Sequence, residues 1–367
     1  MKTFLTPYFN GICCLFIFFI AFTLALPVDS QVKAVPIEPE IQKAYDLRIS
    51  GKAGEARTVL EKYLQENPGD AMANFEMARL LRTPGGMPDM ESVLKYSSKA
   101  IQAEPENPYY AFNHADFLFL NAFISVMTGD TITVIRERME ETCSAFENVL
   151  ELDPECNEAY MYLIDIHAIL PEEMGAVRSR AEQYSHALEE LDPFYSAWAQ
   201  LMLVQDSVEE IGYWKKYMEE KGEDARAMER LGRAYLMAGD PGNAEEILTG
   251  IIEKDPSKSS LYLDLARGYL VRIMQSQEVN DEDLAGAREY FNRYLKNESA
   301  EPVCRVAWTY GMLSNLEQRS GNQELSETYA KKAAELDPYF SRAFAYPALD
   351  DPPNRLIYRY SSYFRPF

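Results

Sequence analysis

The sequence has little of the chemistry that enzymes and metal proteins use, with only three histidines in 367 residues. His114, His167 and His186 lie far apart, and no His-Glu-x-x-His, Cys-x-x-Cys or Gly-x-Ser-x-Gly pattern occurs. Carboxylates are abundant but scattered, and no group of them indicates general acid–base catalysis. We therefore predict that the chain is not an enzyme and holds neither a metal ion nor a cofactor.

Positive charge is also scarce, because 36 Lys and Arg residues stand against 58 Asp and Glu residues. The formal net charge of -22 repels nucleic acid and anionic membrane surfaces, so we predict no nucleic-acid partner. The same charge favours neutral or basic partners, and it also serves to keep a long chain soluble.

Cysteine is rare and shows no disulfide framework. Cys13 and Cys14 lie in an apolar N-terminal run, so Cys143, Cys156 and Cys304 would remain after its removal. Cys143 and Cys156 could pair in an oxidising compartment. The alternative is that all three are small buried residues on helices.

The long apolar run at the N terminus extends from Gly11 to Leu26, after the single basic residue Lys2. Its 16 residues are too few to span a bilayer comfortably, but they suit the core of a signal peptide. We therefore expect an exported protein, either periplasmic or secreted.

Small residues followed by Pro27 predict cleavage after Ala25, which gives a signal peptide over residues 1–25 and a linker over 26–37. The alternative is an uncleaved anchor over residues 11–26. Only in that case do we expect the chain to associate with a membrane.

Helical, charge-rich stretches of the chain repeatedly end in an acidic residue or asparagine followed by proline. The residue before a proline avoids the α conformation and proline has no N–H, so a helix stops there and the proline can open the next one. These endings fall at Pro68, Pro105, Pro154, Pro193, Pro256, Pro302 and Pro338. Their recurrence predicts stacked helical hairpins instead of separate globular domains.

Residues 225–256 show the recurring unit best. Two apolar stripes at helical spacing flank a tight turn over residues 238–242, and Gly232 has no side chain where the second helix must approach. One such hairpin cannot bury both stripes alone, so neighbouring units must stack. The stripes are Met228, Leu231 and Tyr235, then Ala244, Leu248 and Ile251.

This unit resembles the tetratricopeptide repeat, and its matching residues are Met228, Leu231, Gly232, Tyr235, Ala244, Leu248, Ile251 and Pro256. Weaker units extend the resemblance over residues 38–340. It implies an all-α, right-handed superhelical solenoid of about eight antiparallel helical hairpins.

Two units depart from the pattern. The unit at 108–154 carries an insertion, which predicts a taller hairpin that turns near residues 128–130. The unit at 196–224 looks truncated, with Trp214 and Tyr217 as the stripe of its second helix.

The resemblance implies that first helices line the concave side of the superhelix and that a partner's peptide lies there. We therefore expect outward positions on the first helices to bind a protein or peptide. The candidates are Arg79, Asn113, Asp116, Tyr162, Asp165, Arg226, Arg230, Arg233, Asp264 and Arg267.

Arg226, Arg230 and Arg233 share one helix face at a spacing of three and four residues. On so acidic a chain they could anchor the carboxylate of a partner. The alternative is a solvated face paired with acidic neighbours such as Asp224 and Glu229.

The helical periodicity ends after Pro338, and three prolines fall within seven residues of the tail over 341–367. The tail then becomes basic and aromatic. Its docking candidates are Arg355, Tyr358, Arg359, Tyr360, Tyr363 and Phe364. One interpretation is a segment that packs along the last hairpin and caps its open face; the other is a docking peptide for a partner or a neighbouring subunit.

Taken as a whole, the sequence favours a non-catalytic interaction scaffold in the cell envelope or outside the cell, with a protein or peptide in the concave groove. The alternative is a helical carrier that holds a small or lipidic ligand inside the superhelix. A scaffold predicts an open polar groove, and a carrier predicts a closed apolar pocket.

Overall fold

Helices form the regular structure of this chain. The computed structural model describes residues 36–82, 88–204, 209–275, 280–296, 298–337, 351–354 and 357–360. Within those ranges it has sixteen α-helices and no β-strand. The predicted fold class is confirmed, since these helices form an all-α solenoid of eight antiparallel hairpins.

Consecutive helices pair into hairpins, from α1 with α2 to α15 with α16, and each hairpin packs on the next. The helices are α1 Pro39–Ile49, α2 Ala53–Glu66, α3 Ala71–Arg82, α4 Met90–Ala103, α5 Pro108–Thr128, α6 Ile132–Leu152, α7 Asn157–Ile169, α8 Arg178–Leu191, α9 Pro193–Val204, α10 Glu210–Lys221, α11 Ala225–Met237, α12 Pro241–Lys254, α13 Leu261–Gln275, α14 Asp281–Leu295, α15 Val303–Arg319 and α16 Gln323–Leu336. The predicted signal peptide over residues 1–25 and nearly all of the linker lie outside the described residues, as do Arg355, Tyr363 and Phe364.

The prolines punctuate the helices as the sequence predicts. Helix α6 ends at Leu152 and α8 ends at Leu191, each followed by an aspartate and a proline. Pro193 then opens α9, where its missing N–H costs nothing because the first turn of a helix has free donors. The hairpin boundaries therefore follow from local chemistry.

The unit at 225–256 forms the hairpin of α11 and α12. A β-carbon at Gly232 would lie only 2.5 Å from Cδ2 of Leu248, so the close approach predicted for this glycine is present. A close approach of another kind joins two hairpins, since a β-carbon at Gly268 in α13 would lie 2.5 Å from Cδ2 of Leu236 in α11. Small residues at these positions set the packing distance between helices.

The two unusual units have the predicted forms. Helices α5 and α6 are 21 residues each and turn at Gly129, whose φ of 75° is in the left-handed region that favours glycine. In the shorter unit of α9 and α10, Trp214 is fully buried and stacks on Phe194 with 5.6 Å between ring centroids. Tyr217 packs against the same core cluster.

The first and last hairpins are neighbours. Gly51, in the turn between α1 and α2, lies against the end of α16. A β-carbon at Gly51 would come within 3.1 Å of the carbonyl oxygen of Leu336 and 3.5 Å of Cα of Asp337. The solenoid therefore closes on itself, and the chain that leaves α16 starts beside the first hairpin.

The histidines occupy structural positions. His114 is largely buried with its Nδ1 2.8 Å from Oγ of Ser97, and burial lowers its pKa to about 4. His167 accepts a hydrogen bond from the backbone N–H of Val177, and burial also lowers its pKa. His186 is exposed on α8.

Cys143 and Cys156 are buried free thiols, and burial raises the pKa of both. The disulfide left open by the sequence is therefore not formed between them. Cys304 is half-buried, so the expectation of burial is wrong for this residue, which lies at the start of α15.

None of the helices that the structure describes combines the length and apolar character needed to cross a lipid bilayer. The apolar run from Gly11 to Leu26 lies outside that part of the chain.

Candidate functional site

Part of the C-terminal tail lies across the first helices of consecutive hairpins. Residues 351–354 and 357–360 contact side chains of α3, α5, α7 and α9, together with the turn after α6. We call the surface under the tail the first-helix face, and define it by Arg79, Tyr109, Phe112, Asp153, Tyr162 and Trp198. The tail thus lies on first helices, the elements on which the sequence predicts a peptide site.

Burial alternates along the last four described residues of the tail. Tyr358 and Tyr360 are half-buried, while Ile357 and Arg359 are exposed. Successive side chains of an extended segment point to opposite sides, so this alternation is typical of a peptide lying on a surface. The two tyrosines face the solenoid.

Tyr358 occupies the first of two aromatic positions on the first-helix face. Its ring stacks on Tyr109 with 4.7 Å between centroids and meets Phe112 at 5.1 Å. Its hydroxyl donates a 2.8 Å hydrogen bond to Oδ2 of Asp153, and burial raises its pKa, so the phenol stays protonated. A half-buried tyrosine whose ring is stacked and whose hydroxyl is hydrogen-bonded is a strong anchor.

Tyr360 occupies the second position. Its ring meets Tyr162 edge-on at 4.9 Å and Trp198 edge-on at 5.2 Å. Tyr162 is itself held in place, because it stacks on Phe146 at 4.4 Å and its hydroxyl donates a 2.6 Å hydrogen bond to Asp116. The second position is therefore built by residues that other contacts already fix.

The start of the tail segment is held by Arg79 on α3, which donates a hydrogen bond to the backbone carbonyl of Asp351. Arg79 lies 3.5 Å from Glu76, which also accepts a 2.6 Å hydrogen bond from Arg48. The side chain of Asp351 pairs with Arg359 at 2.7 Å and so ties the two described parts of the tail together.

Two of the predicted groove residues, Arg79 and Tyr162, contact the tail, and Asp116 orients Tyr162. Asn113 donates its amide to the carbonyl of Tyr109 at 2.8 Å, beneath the first tyrosine position. Their role toward a partner stays a prediction.

Sequence reasoning missed four residues of the face, namely Tyr109, Phe112, Asp153 and Trp198. Asp153 belongs to an Asp-Pro helix stop, and nothing in its local sequence distinguishes it from the other stops. Its contact with Tyr358 joins residues 205 apart, which local spacing cannot reveal.

Six of the candidate groove residues are buried, namely Arg79, Tyr162, Asp165, Arg230, Asp264 and Arg267. Arg79 and Tyr162 lie under the tail, which contacts both. The expectation of an outward side chain is wrong for the other four. Among these, Arg230 pairs with Glu210 of α10, and Asp264 pairs with Arg267 on the same helix.

The arginine cluster is engaged within the molecule. Arg226 contacts Asp192 at 2.7 Å and Asp224 at 2.8 Å, and these hydrogen bonds raise its pKa. Arg230 pairs with Glu210 at 2.8 Å and lies over the ring of Trp198.

Arg233 pairs with Asp264 at 3.0 Å, and Asp264 also lies 3.3 Å from Arg267. Arginines with carboxylate partners offer little uncompensated charge to a partner's carboxylate. Their function as a partner anchor remains a prediction.

The described part of the tail departs from the expectation that the tail packs along the last hairpin. Its described residues lie on the second to fifth hairpins. The physical reason is the meeting of α16 with the α1–α2 turn, which places Leu336 and Asp337 beside the first hairpin.

Comparison with known proteins supports the repeat. A family model described as tetratricopeptide repeat matches residues 226–257, which are the hairpin of α11 and α12. A search of curated proteins found no match. The match identifies this hairpin as a tetratricopeptide repeat, and solenoids of such repeats present extended binding surfaces.

Solved structures give weaker likenesses. A tetratricopeptide repeat protein from Parabacteroides merdae is 16% identical with a TM-score of 0.37, over 81% of this chain and 91% of that chain. A human IFIT1 dimer with m7Gppp-AAAA is 16% identical with a TM-score of 0.34, over 81% and 71%. PilF of Pseudomonas aeruginosa is 15% identical with a TM-score of 0.23, over 82% and 90%. Such TM-scores support no functional argument.

Proposed function

We propose that this protein is a non-catalytic interaction scaffold that binds an extended peptide or protein segment along its first-helix face. The observation that carries the proposal is the extended segment of its own tail on that face, with two tyrosines inward and two side chains outward. Helical repeats supply such a surface because each adds one first helix to a continuous face.

The chemistry of the face suits a peptide better than a small ligand. It combines aromatic rings with a carboxylate at Asp153 and a backbone-binding arginine at Arg79, spread over four hairpins. A small or lipidic ligand would need these groups to converge on one pocket, whereas a peptide meets them in succession. We therefore favour the scaffold over the carrier.

The proposal also includes the location in which the protein meets its partner. The apolar run at the N terminus supports export to the periplasm or beyond, with cleavage after Ala25. N-terminal sequencing of the mature protein from the producing cells tests this directly. Recovery of the full-length chain from the cytosol would contradict export, and its recovery from the membrane would support the uncleaved anchor.

Site-specific photocrosslinking tests the scaffold. A benzoylphenylalanine at Tyr109, on the face, is compared with one at Lys216, whose side chain is 73% exposed on α10. Exposure of the chain to envelope extract and light should give adducts larger than the chain from position 109 and none from position 216. Equal adducts from both positions, or none from position 109 in any form of the chain, would contradict the proposal.

A further inference from the structure

The tail segment has the contacts of a bound ligand and none of the regular structure of the solenoid. Residues 357–360 belong to no helix, and their inward side chains meet residues from α5, the turn after α6, α7 and α9. The outward Ile357 is 57% exposed. The face therefore contacts Tyr358 and Tyr360 and leaves the apolar Ile357 in solvent.

We propose that the first-helix face is a site for extended segments with tyrosines two residues apart, and that residues 351–354 and 357–360 occupy this site in the same chain until a partner of the same chemistry displaces them. The inference rests on the proposed scaffold function, and it adds the class of ligand and an internal competitor. Tyr358 and Tyr360 define the ligand pattern.

The two positions differ in what they accept. The first contains a carboxylate, so it favours a phenol that donates its hydrogen to Asp153 over a phenylalanine that cannot. A phosphorylated tyrosine would bring negative charge against Asp153 and is excluded. The second position has edge-on contacts from Tyr162 and Trp198, which favour an aromatic ring of any kind.

The closure of the solenoid makes occupation by the same chain possible. Helix α16 ends beside the turn between α1 and α2, in the first hairpin, and Arg79 lies in the second hairpin. A tethered segment competes at an effective concentration that reaches the millimolar range for short linkers. A partner must therefore bind more tightly than the tail or arrive at high local concentration.

The test uses the full chain as receptor in two forms, wild type and Tyr358→Ser/Tyr360→Ser. The probe is a labelled, end-capped peptide with the sequence of residues 351–360. We expect it to bind the double variant and to bind wild type at least about tenfold more weakly, because the tail of wild type competes. Circular dichroism and thermal unfolding establish that both forms are folded.

Three altered peptides sharpen the test. Replacing Ile357 by Ser should leave binding to the double variant unchanged, since this side chain faces solvent. Replacing Tyr358 by Ser, or by phosphotyrosine, should abolish it. Equal binding of the peptide to both forms of the chain, or equal binding of the Ile357 and Tyr358 peptides, would overturn the inference.

The arms separate this inference from the scaffold proposal. Crosslinked adducts at position 109 without peptide competition would leave the scaffold standing and remove the internal competitor. Weaker peptide binding to wild type than to the double variant, without any crosslinked adduct at position 109, would support the internal competitor and contradict the scaffold. A dimer of the wild-type chain that dissociates in the double variant would assign the tail to the face of a second copy and overturn occupation by the same chain.

Discussion

The middle and the C-terminal part of the solenoid use their first helices differently. Helices α5, α7 and α9 present aromatic rings to the tail, as Tyr109, Tyr162 and Trp198 show. Helices α11, α13 and α15 instead carry charged residues that pair across hairpins, as in Arg233 with Asp264 at 3.0 Å. First helices thus contact the tail in one region and pair with neighbouring hairpins in the other.

The two regions also differ in how closely their hairpins match the tetratricopeptide repeat. The hairpin of α11 and α12 matches the tetratricopeptide repeat model. Its Gly232 allows α11 to pack closely on α12, and its Arg233 pairs with Asp264 of the next hairpin. The hairpin of α5 and α6 carries the insertion and provides Tyr109 and Phe112. The regular hairpin of α11 and α12 therefore has a structural role, and the irregular hairpin of α5 and α6 carries much of the candidate site.

The largest expected effect concerns the charged region. Asp264→Ala removes the carboxylate shared by Arg233 and Arg267, both of which lose a partner in a poorly solvated place. Breaking a buried pair on one side costs about 3–5 kcal/mol, and we expect that loss in the free energy of unfolding by urea titration.

Glu289→Ala is the control for that variant, because it removes an exposed pair with Arg293 on one helix and should cost less than about 0.5 kcal/mol. If Asp264→Ala lowered the free energy of unfolding no more than Glu289→Ala does, the ion pairs of Asp264 would not stabilise the fold. The role of Arg267 in partner binding would then regain support.

Gly232→Leu tests the packing of the regular hairpin. The new side chain meets Cδ2 and Cγ of Leu248 and must push α11 and α12 apart, which we expect to cost about 3 kcal/mol. Gly250→Leu in α12 is the matched control, since a β-carbon there has open space. An unchanged melting temperature for Gly232→Leu would refute the packing.

Sequence patterns predict the helical hairpins of this protein well, but they predict only part of the candidate site. Asp-Pro stops and glycines such as Gly232 act locally, so the hairpins can be derived from spacing. The pairing of Tyr358 with Asp153 depends on the closure of the whole solenoid, which brings distant residues together. The burial of Arg230 depends likewise on Glu210 from another hairpin.

Acid should distinguish the two regions. His114 in α5 has a pKa lowered to about 4 by burial, so the unfolded chain binds its proton first and stability falls as the pH drops below about 6.5. Glu317 in α15 has a lowered pKa, because hydrogen bonds from Arg288 and Asn322 outweigh its burial. Its contribution is present above pH 4.5 and is lost only below that value.

We therefore expect His114→Gln to remove about 2 kcal/mol of the stability loss between pH 6.5 and 4.5, measured by urea unfolding at each pH. A pH slope for His114→Gln equal to that of wild type would show that His114 does not titrate as its burial implies.

The smallest expected effect isolates one hydrogen bond of the aromatic region. A peptide of residues 351–360 with Tyr358→Phe keeps the stack on Tyr109 and loses the bond to Asp153, which should weaken binding to the double variant about fivefold. Ile357→Val, on the outward side, should change the dissociation constant less than about twofold. If the phenylalanine peptide bound as tightly as the parent, the face would recognise rings alone, and the carboxylate that sets its first position apart would have no role in selection.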